Sequence, residues 1–182
     1  TNVIHAQKAP MKYGKVDQAD LDMKVYPADS SASAVVLCNY GYFNSREFQF
    51  VHQKRIKILK EEGKSQGDFF VPATEKAVVK GQIVNMENGI PVITKLGKES
   101  IFIEKVSKNQ YRARVACPNV KVGSVIDVEF YYSGLPSLWR FQETIPVRWS
   151  ELIIEDNQYL SFRKNAVGFT PFFVSYFGFK VN

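Results

Sequence analysis

The sequence is poor in the residues that most directly carry chemistry. It holds two histidines, His5 and His52, and two cysteines, Cys38 and Cys117. Neither cysteine belongs to a Cys-x-x-Cys pair, so the ligand spacing of a zinc site is missing and no metal is expected. A serine nucleophile needs a histidine base within reach. His5 falls in a terminus of the kind that is usually mobile, and neither a Gly-x-Ser-x-Gly elbow nor a glycine-rich phosphate loop occurs. A reactive cysteine needs an activating basic neighbour, which the surroundings of Cys38 and Cys117 do not point to. Asp127 and Glu129 form the neatest carboxylate pair, but exposed strands carry such pairs routinely. No catalytic residue and no cofactor are therefore expected.

Two further absences narrow the class. No apolar run reaches the roughly 18 residues of a membrane-spanning helix, so no membrane span is expected. No excess of one charge sign is concentrated in a block either, the net charge of +6 coming from 24 basic and 18 acidic residues mixed along the chain. The densest basic run, Lys54–Lys60, alternates with Ile and Leu. It reads as a strand with a solvated face, or as a polyanion contact. Nucleic-acid binding would call for stacking aromatics within a basic surface or a helical reader; neither is found, and no nucleic-acid partner is expected.

What the sequence does have is aromatic and β-branched. Its 14 Phe and 9 Tyr suit half-buried pleated surfaces. A chain of 182 residues fits a single domain and can bury a core without staples. One short helix is expected over Val16–Met23, with Asp17 as cap and Asp20 in the first turn; Pro27 bars a long continuation. Strands follow. Val35–Tyr40 is the first. In Glu47–Lys60, Phe48, Phe50, Ile56 and Ile58 share a face with His52 and Lys54. That conflict is resolved by a bulge, or else marks His52 as a functional group in an apolar setting. Asn88-Gly89 between two apolar runs is a strong hairpin signal. In Val125–Tyr132, Ile126, Val128, Phe130 and Tyr132 face one way and Asp127 and Glu129 the other. Trp139, Phe141 and Ile145 share a face, and Pro146 suits a bend or a sheet edge. Trp149–Glu155 is one more strand. The fold class is all-β: a β-sandwich of about ten antiparallel strands with one short N-terminal helix. The cysteines are expected as two buried thiols, or as a disulfide if the compartment is oxidising.

The domain is expected to span residues 1–182, with 1–12 as a flexible terminus. Residues 163–182, which include Phe169–Phe179, form an aromatic tail suited to an interface with a domain outside this chain. The chain opens on Thr1, which a removed export signal or simple trimming would explain.

Several segments in a fixed order carry a family resemblance. They are Tyr26-Pro-Ala-Asp29, Ala34–Gly41, His52–Gly63, Glu87-Asn-Gly89 with Thr94-Lys-Leu96, Pro118–Ile126 and Trp139–Glu151. Together they resemble the N-terminal all-β domain of unknown function that precedes transglutaminase-like domains in bacterial envelope proteins. The similarity runs from about Tyr13 to Tyr159 and fades beyond Phe162. The resemblance implies a non-catalytic accessory domain that contacts a neighbouring transglutaminase-like domain or a partner protein. It also implies export to the periplasm or outer surface of a Gram-negative bacterium.

The candidate binding residues are Trp139, Arg140, Gln142, Trp149 and Glu151. Trp139 either packs in the core or lies on a rim where its indole stacks on a sugar or a partner. Arg140, Gln142 and Arg148 are expected to face outward or to hold the bend at Pro146. Glu151 is placed to accept a hydrogen bond from Arg140 or a strand end. The alternative function is a carbohydrate-binding sandwich that uses Trp139 and Trp149 as platforms for a glycan.

Overall fold

The computed structural model describes residues 9–73, 78–108, 110–136 and 138–155. His5, Asn109, Ser137 and the aromatic tail lie outside the described residues. The helix α1 (Gln18–Asp22) is followed by β1 (Ala34–Asn44), β2 (Gln49–Ile58), β3 (Asp68–Ala73), β4 (Val78–Glu87), β5 (Ile90–Lys95), β6 (Ile101–Ser107), β7 (Gln110–Ala116), β8 (Val125–Ser133) and β9 (Ser150–Glu155). The all-β expectation holds, with nine strands among the described residues. Asn88 and Gly89, at φ 52° and 78°, turn β4 into β5 as expected of that dipeptide.

The strands form two sheets. One has six strands in the order β5-β4-β8-β2-β1-β9, the other three in the order β3-β7-β6. Strands β1 to β8 pair antiparallel, but β9 runs parallel to β1. The parallel edge arises because residues 138–149 cross over the inner face of the six-stranded sheet to the far side of β1. Residues 138–149 were expected to include a further strand at Trp139–Ile145. They pair with β1 only through an isolated parallel bridge, Val36↔Val147, so the segment serves as a cover.

The central strands of the six-stranded sheet are buried on both faces, whereas the edge strand β5 is exposed. The sheet's inner face carries Ala34, Val36, Ile56, Ile58, Ile83, Ile126 and Val128, packed against Phe69, Leu96 and Cys117. The smaller sheet closes a second inner cluster of Val71, Ala113 and Val115 against Phe130. On the outer face Val35, Leu37, Val84 and Val125 meet α1 through Leu21, with Met11, Val16 and Met23 alongside. Residues 9–33 thus act as a third layer. Met11 and Lys12, expected within a flexible terminus, sit directly on Arg55: its Nη1 approaches Met11 Sδ at 3.5 Å and its Nη2 donates to the Lys12 carbonyl at 2.9 Å.

This layer overturns one expectation. The basic run was read as a strand with a wet face, and Asp127 as exposed. Instead Arg55, Lys57 and Asp127 are 1%, 0% and 0% exposed. Asp127 Oδ2 accepts from Arg55 Nη2 at 3.0 Å and from the Gly14 amide at 2.8 Å. Lys57 Nζ donates to the carbonyls of Leu21 and Gly123, each at 2.7 Å. Burial pulls the Lys57 ammonium down to about 8. Alternation told correctly which side chains share a face, but the polar face is roofed by the N-terminal layer. Asp20 likewise does more than sit in a first turn. It is buried and takes a two-pronged hydrogen bond from Arg148 at 2.7 and 3.1 Å, while Asp17 makes no side-chain cap.

The expected bulge also sits elsewhere. The β1–β2 register slips between Val36 and Cys38, so the extra residue is Leu37 in β1, and β2 alternates without interruption. His52 and Lys54 therefore do face inward with Phe50 and Ile56. Both cysteines are free thiols, and burial pushes each up to about 12, so they behave as small apolar side chains.

Candidate functional site

The Trp139–Glu151 stretch builds its site on the inner face of the six-stranded sheet, adjoining through Phe130 and Tyr132 the cluster that the three-stranded sheet closes. Here β1 presents Asn39 and Gly41, β2 presents Phe50, His52 and Lys54, and β8 presents Phe130 and Tyr132, on adjoining rungs. Trp139 lies across Gly41. A Cβ at that position would stand 2.7 Å from Phe50 Cζ and 2.8 Å from Trp139 Cη2 and Cζ3, so only glycine leaves room for the indole. The rings interlock, with His52 centred 4.7 Å from Trp139 and 4.5 Å from Phe130, and Trp139 edge-on to Phe50 at 6.0 Å.

A polar chain ties this aromatic group to β9. Asn39 Nδ2 donates to the Arg140 carbonyl at 3.1 Å, which fixes the amide orientation and leaves Oδ1 as the acceptor. His52 Nε2 then donates to that oxygen at 2.6 Å, so His52 is the Nε2–H tautomer. Burial, and secondarily the Lys54 charge, lowers the imidazole to about 3 and keeps it neutral at physiological pH. Ser150 Oγ lies 3.3 Å from both Asn39 Nδ2 and Trp139 Nε1. Lys54 Nζ closes the group by donating to both oxygens of Glu143 at 2.6 and 2.8 Å.

The expected site residues divide between two faces. In the parallel register Asn39 pairs with Ser150 and Tyr40 with Glu151, so Ser150 faces Trp139 while Glu151 and Trp149 point to the opposite side of the sheet. Trp139 is half-buried, whereas Trp149 is 48% exposed. Trp149 Nε1 donates to Glu151 Oε2 at 3.3 Å, in place of the expected Arg140 partner. Arg140 and Gln142 are exposed, and Arg148 turns back to Asp20. Sequence reasoning missed Asn39, Gly41 and Glu143, and set Lys54 on this face only as a break in the apolar stripe. The signals available were that break and a glycine inside an apolar strand, which marks a close approach.

Chemically, the polar groups of this arrangement are engaged with one another. The imidazole is neutral, its Nε2–H is committed to Asn39, and the carboxylate nearest to Lys54 is spent in an ion pair. Among the described residues no group of three or more His, Cys, Asp or Glu is placed to hold a metal ion. Among the described residues no helix is long and apolar enough to cross a membrane.

No family model and no curated protein matches the chain. One similar solved structure is that of a "putative protease" from Parabacteroides distasonis, at a TM-score of 0.48 and 13% identity. The similarity covers 63% of this chain and 27% of that one, so the chain spans about a quarter of that protein's length.

Proposed function

We infer that this chain is a non-catalytic accessory domain of an exported bacterial protein, acting by contact with a partner protein or a neighbouring transglutaminase-like domain. The reading is carried by where the apolar side chains are left. The chemistry-bearing groups His52, Asn39, Arg55, Lys57 and Asp127 are engaged inside the fold. Apolar side chains instead stand on the outer face of the three-stranded sheet. Phe70 and Phe102 flank Arg114 on one rung and are 50% and 51% exposed. Arg112 lies over the Phe70 ring at 3.9 Å and donates to Glu104 at 2.8 Å, and Arg114 pairs with Asp68. Two exposed rings flanking an arginine and framed by ion pairs have the composition of a contact surface.

The test is to express the domain together with whatever the natural reading frame encodes after it, and to compare amide resonances with those of the domain alone. Shifts at Phe70, Phe102 and their rung neighbours, lost in Phe102→Asp, support the reading. Unchanged resonances across that face refute it.

A further inference from the structure

The last strand of a sheet carries unpaired backbone groups, and most of the edges in this fold are blunted. β3 contains Pro72, β6 is broken by the register slip between Lys105 and Ser107, and β9 has no exposed residue. β5 differs. Among the described residues it is the outermost strand of the six-stranded sheet, and all of it except Thr94 is exposed, Ile90, Val92 and Ile93 at 65%, 39% and 52%. Pro91 and Lys95 are residues that commonly protect an edge. What they leave open here depends on where each backbone group points.

That direction follows from the turn. Asn88 and Gly89 form a two-residue loop, so Glu87 and Ile90 exchange hydrogen bonds, and every second residue of β5 does the same with β4. The Leu96 amide continues the series by donating to the Gly81 carbonyl at 2.9 Å. Val92 and Thr94 therefore turn their backbone groups toward β4, and Pro91, Ile93 and Lys95 turn theirs outward. The free edge offers the carbonyls of all three but the N–H groups of Ile93 and Lys95 alone, because proline has none. This pattern complements itself. In an antiparallel pair of β5 strands with its two-fold axis at Ile93, the two Ile93 residues exchange both their hydrogen bonds. Each Lys95 amide then donates to the Pro91 carbonyl of the second copy, so every outward donor is used. An axis at Pro91 would oppose two residues without donors, and one at Lys95 would oppose two like charges. An axis at Val92 would set Ile93 against Pro91, and one at Thr94 would leave Ile90 beyond the end of the second strand.

We propose that two copies of this chain associate edge to edge through β5, antiparallel about Ile93, and join their six-stranded sheets into one. The pairing brings Ile93 against Ile93 and Val92 against Thr94, covers apolar side chains that are otherwise exposed, and opposes no two charges. The same patch serves both copies, as a two-fold interface requires. One strand on one strand is a small contact, so the association is weak and depends on concentration. It uses neither the Trp139 site nor the outer face of the three-stranded sheet, so it stands or falls independently of that contact surface.

The test is sedimentation velocity of the full chain from micromolar to sub-millimolar concentration, over which the parent should pass from monomer to dimer. Ile93 is 52% exposed, so Ile93→Lys and Ile93→Glu should keep the fold, which circular dichroism checks. Each variant alone opposes like charges and should dimerise at least tenfold more weakly than the parent. An equal mixture of the two sets Lys against Glu and should dimerise as the parent does. Hydrogen exchange of the parent reads the same contact without a substitution. The Ile93 and Lys95 amides should become protected only at high concentration, while those of Val92 and Thr94 are protected throughout. A parent that stays monomeric, variants that dimerise singly, a mixture no better than its components, or Ile93 and Lys95 amides that exchange freely in the dimer would each overturn the proposal.

Discussion

Replacing Gly41 by alanine probes the step from sequence to packing at the Trp139 site. In an ordinary strand the change would stabilise by about 0.5–1 kcal/mol, because glycine loses more backbone freedom on folding. Here the new methyl meets Phe50 Cζ at 2.7 Å and two indole carbons of Trp139 at 2.8 Å. Neither ring has an easy retreat, since Phe50 also packs on Tyr132 at 5.1 Å and Trp139 on His52 at 4.7 Å. Overpacking of this kind costs about 1–3 kcal/mol. A net loss of about 1 kcal/mol follows, or roughly 2–4 °C in Tm for a chain of this size. Urea unfolding followed by circular dichroism measures the loss. Emission from Trp139 in a Trp149→Phe background should shift to the red as the indole is pushed outward. The decisive comparison is a double-mutant cycle with Trp139→Leu. If the methyl and the indole collide, the combined loss should fall short of the sum by about 1 kcal/mol. Additive losses, or a Gly41→Ala protein as stable as the parent, would refute the account of why glycine stands there.

Three other outcomes follow from the buried polar groups. Asp127→Asn should destabilise by about 3–5 kcal/mol in urea, because it strands the Arg55 guanidinium, whereas Arg55→Met with Asp127→Leu should recover most of that loss. His52 titrates near 3 when folded against an ordinary 6.5. Below pH 6.5 the unfolded chain therefore takes up a proton that the folded one refuses, and stability declines toward pH 3 by up to about 4 kcal/mol. The stability curve of His52→Gln between pH 7 and 4 should be flatter than the parent's; parallel curves would refute the assignment. Lys57 has the same sign in an alkaline window: it releases its proton at about 8 when folded and at 10.5 when unfolded, so its contribution makes stability rise with pH between those values. Comparison with Lys57→Met is cleanest up to about pH 10, before the tyrosines begin to ionise.

The alternation in Val125–Tyr132, the Asn88-Gly89 turn and the aromatic content were enough to identify the class of fold, the central strands and the sharing of faces, though not the cover at Trp139–Ile145 or the parallel edge. These are local properties, set by a two-residue period and by backbone geometry at single positions. The sequence also singled out Trp139 as a ring with a special setting. It could not say what lies on each face. Arg55, Lys57 and Asp127 looked solvated because the layer that buries them comes from a distant part of the chain, as the Gly14–Asp127 hydrogen bond shows across 113 residues. Trp139 was paired in expectation with Trp149, ten residues away, but the parallel register of β9 on β1 sends the two indoles to opposite faces. Its actual partners, Gly41, Asn39 and His52, are about a hundred residues earlier, and the Asn39–Arg140 bond that secures them spans 101 residues. Period and propensity decide what a strand presents; which surface meets it is decided by the crossing of residues 138–149 and the folding back of 9–33, and only the tertiary structure contains those.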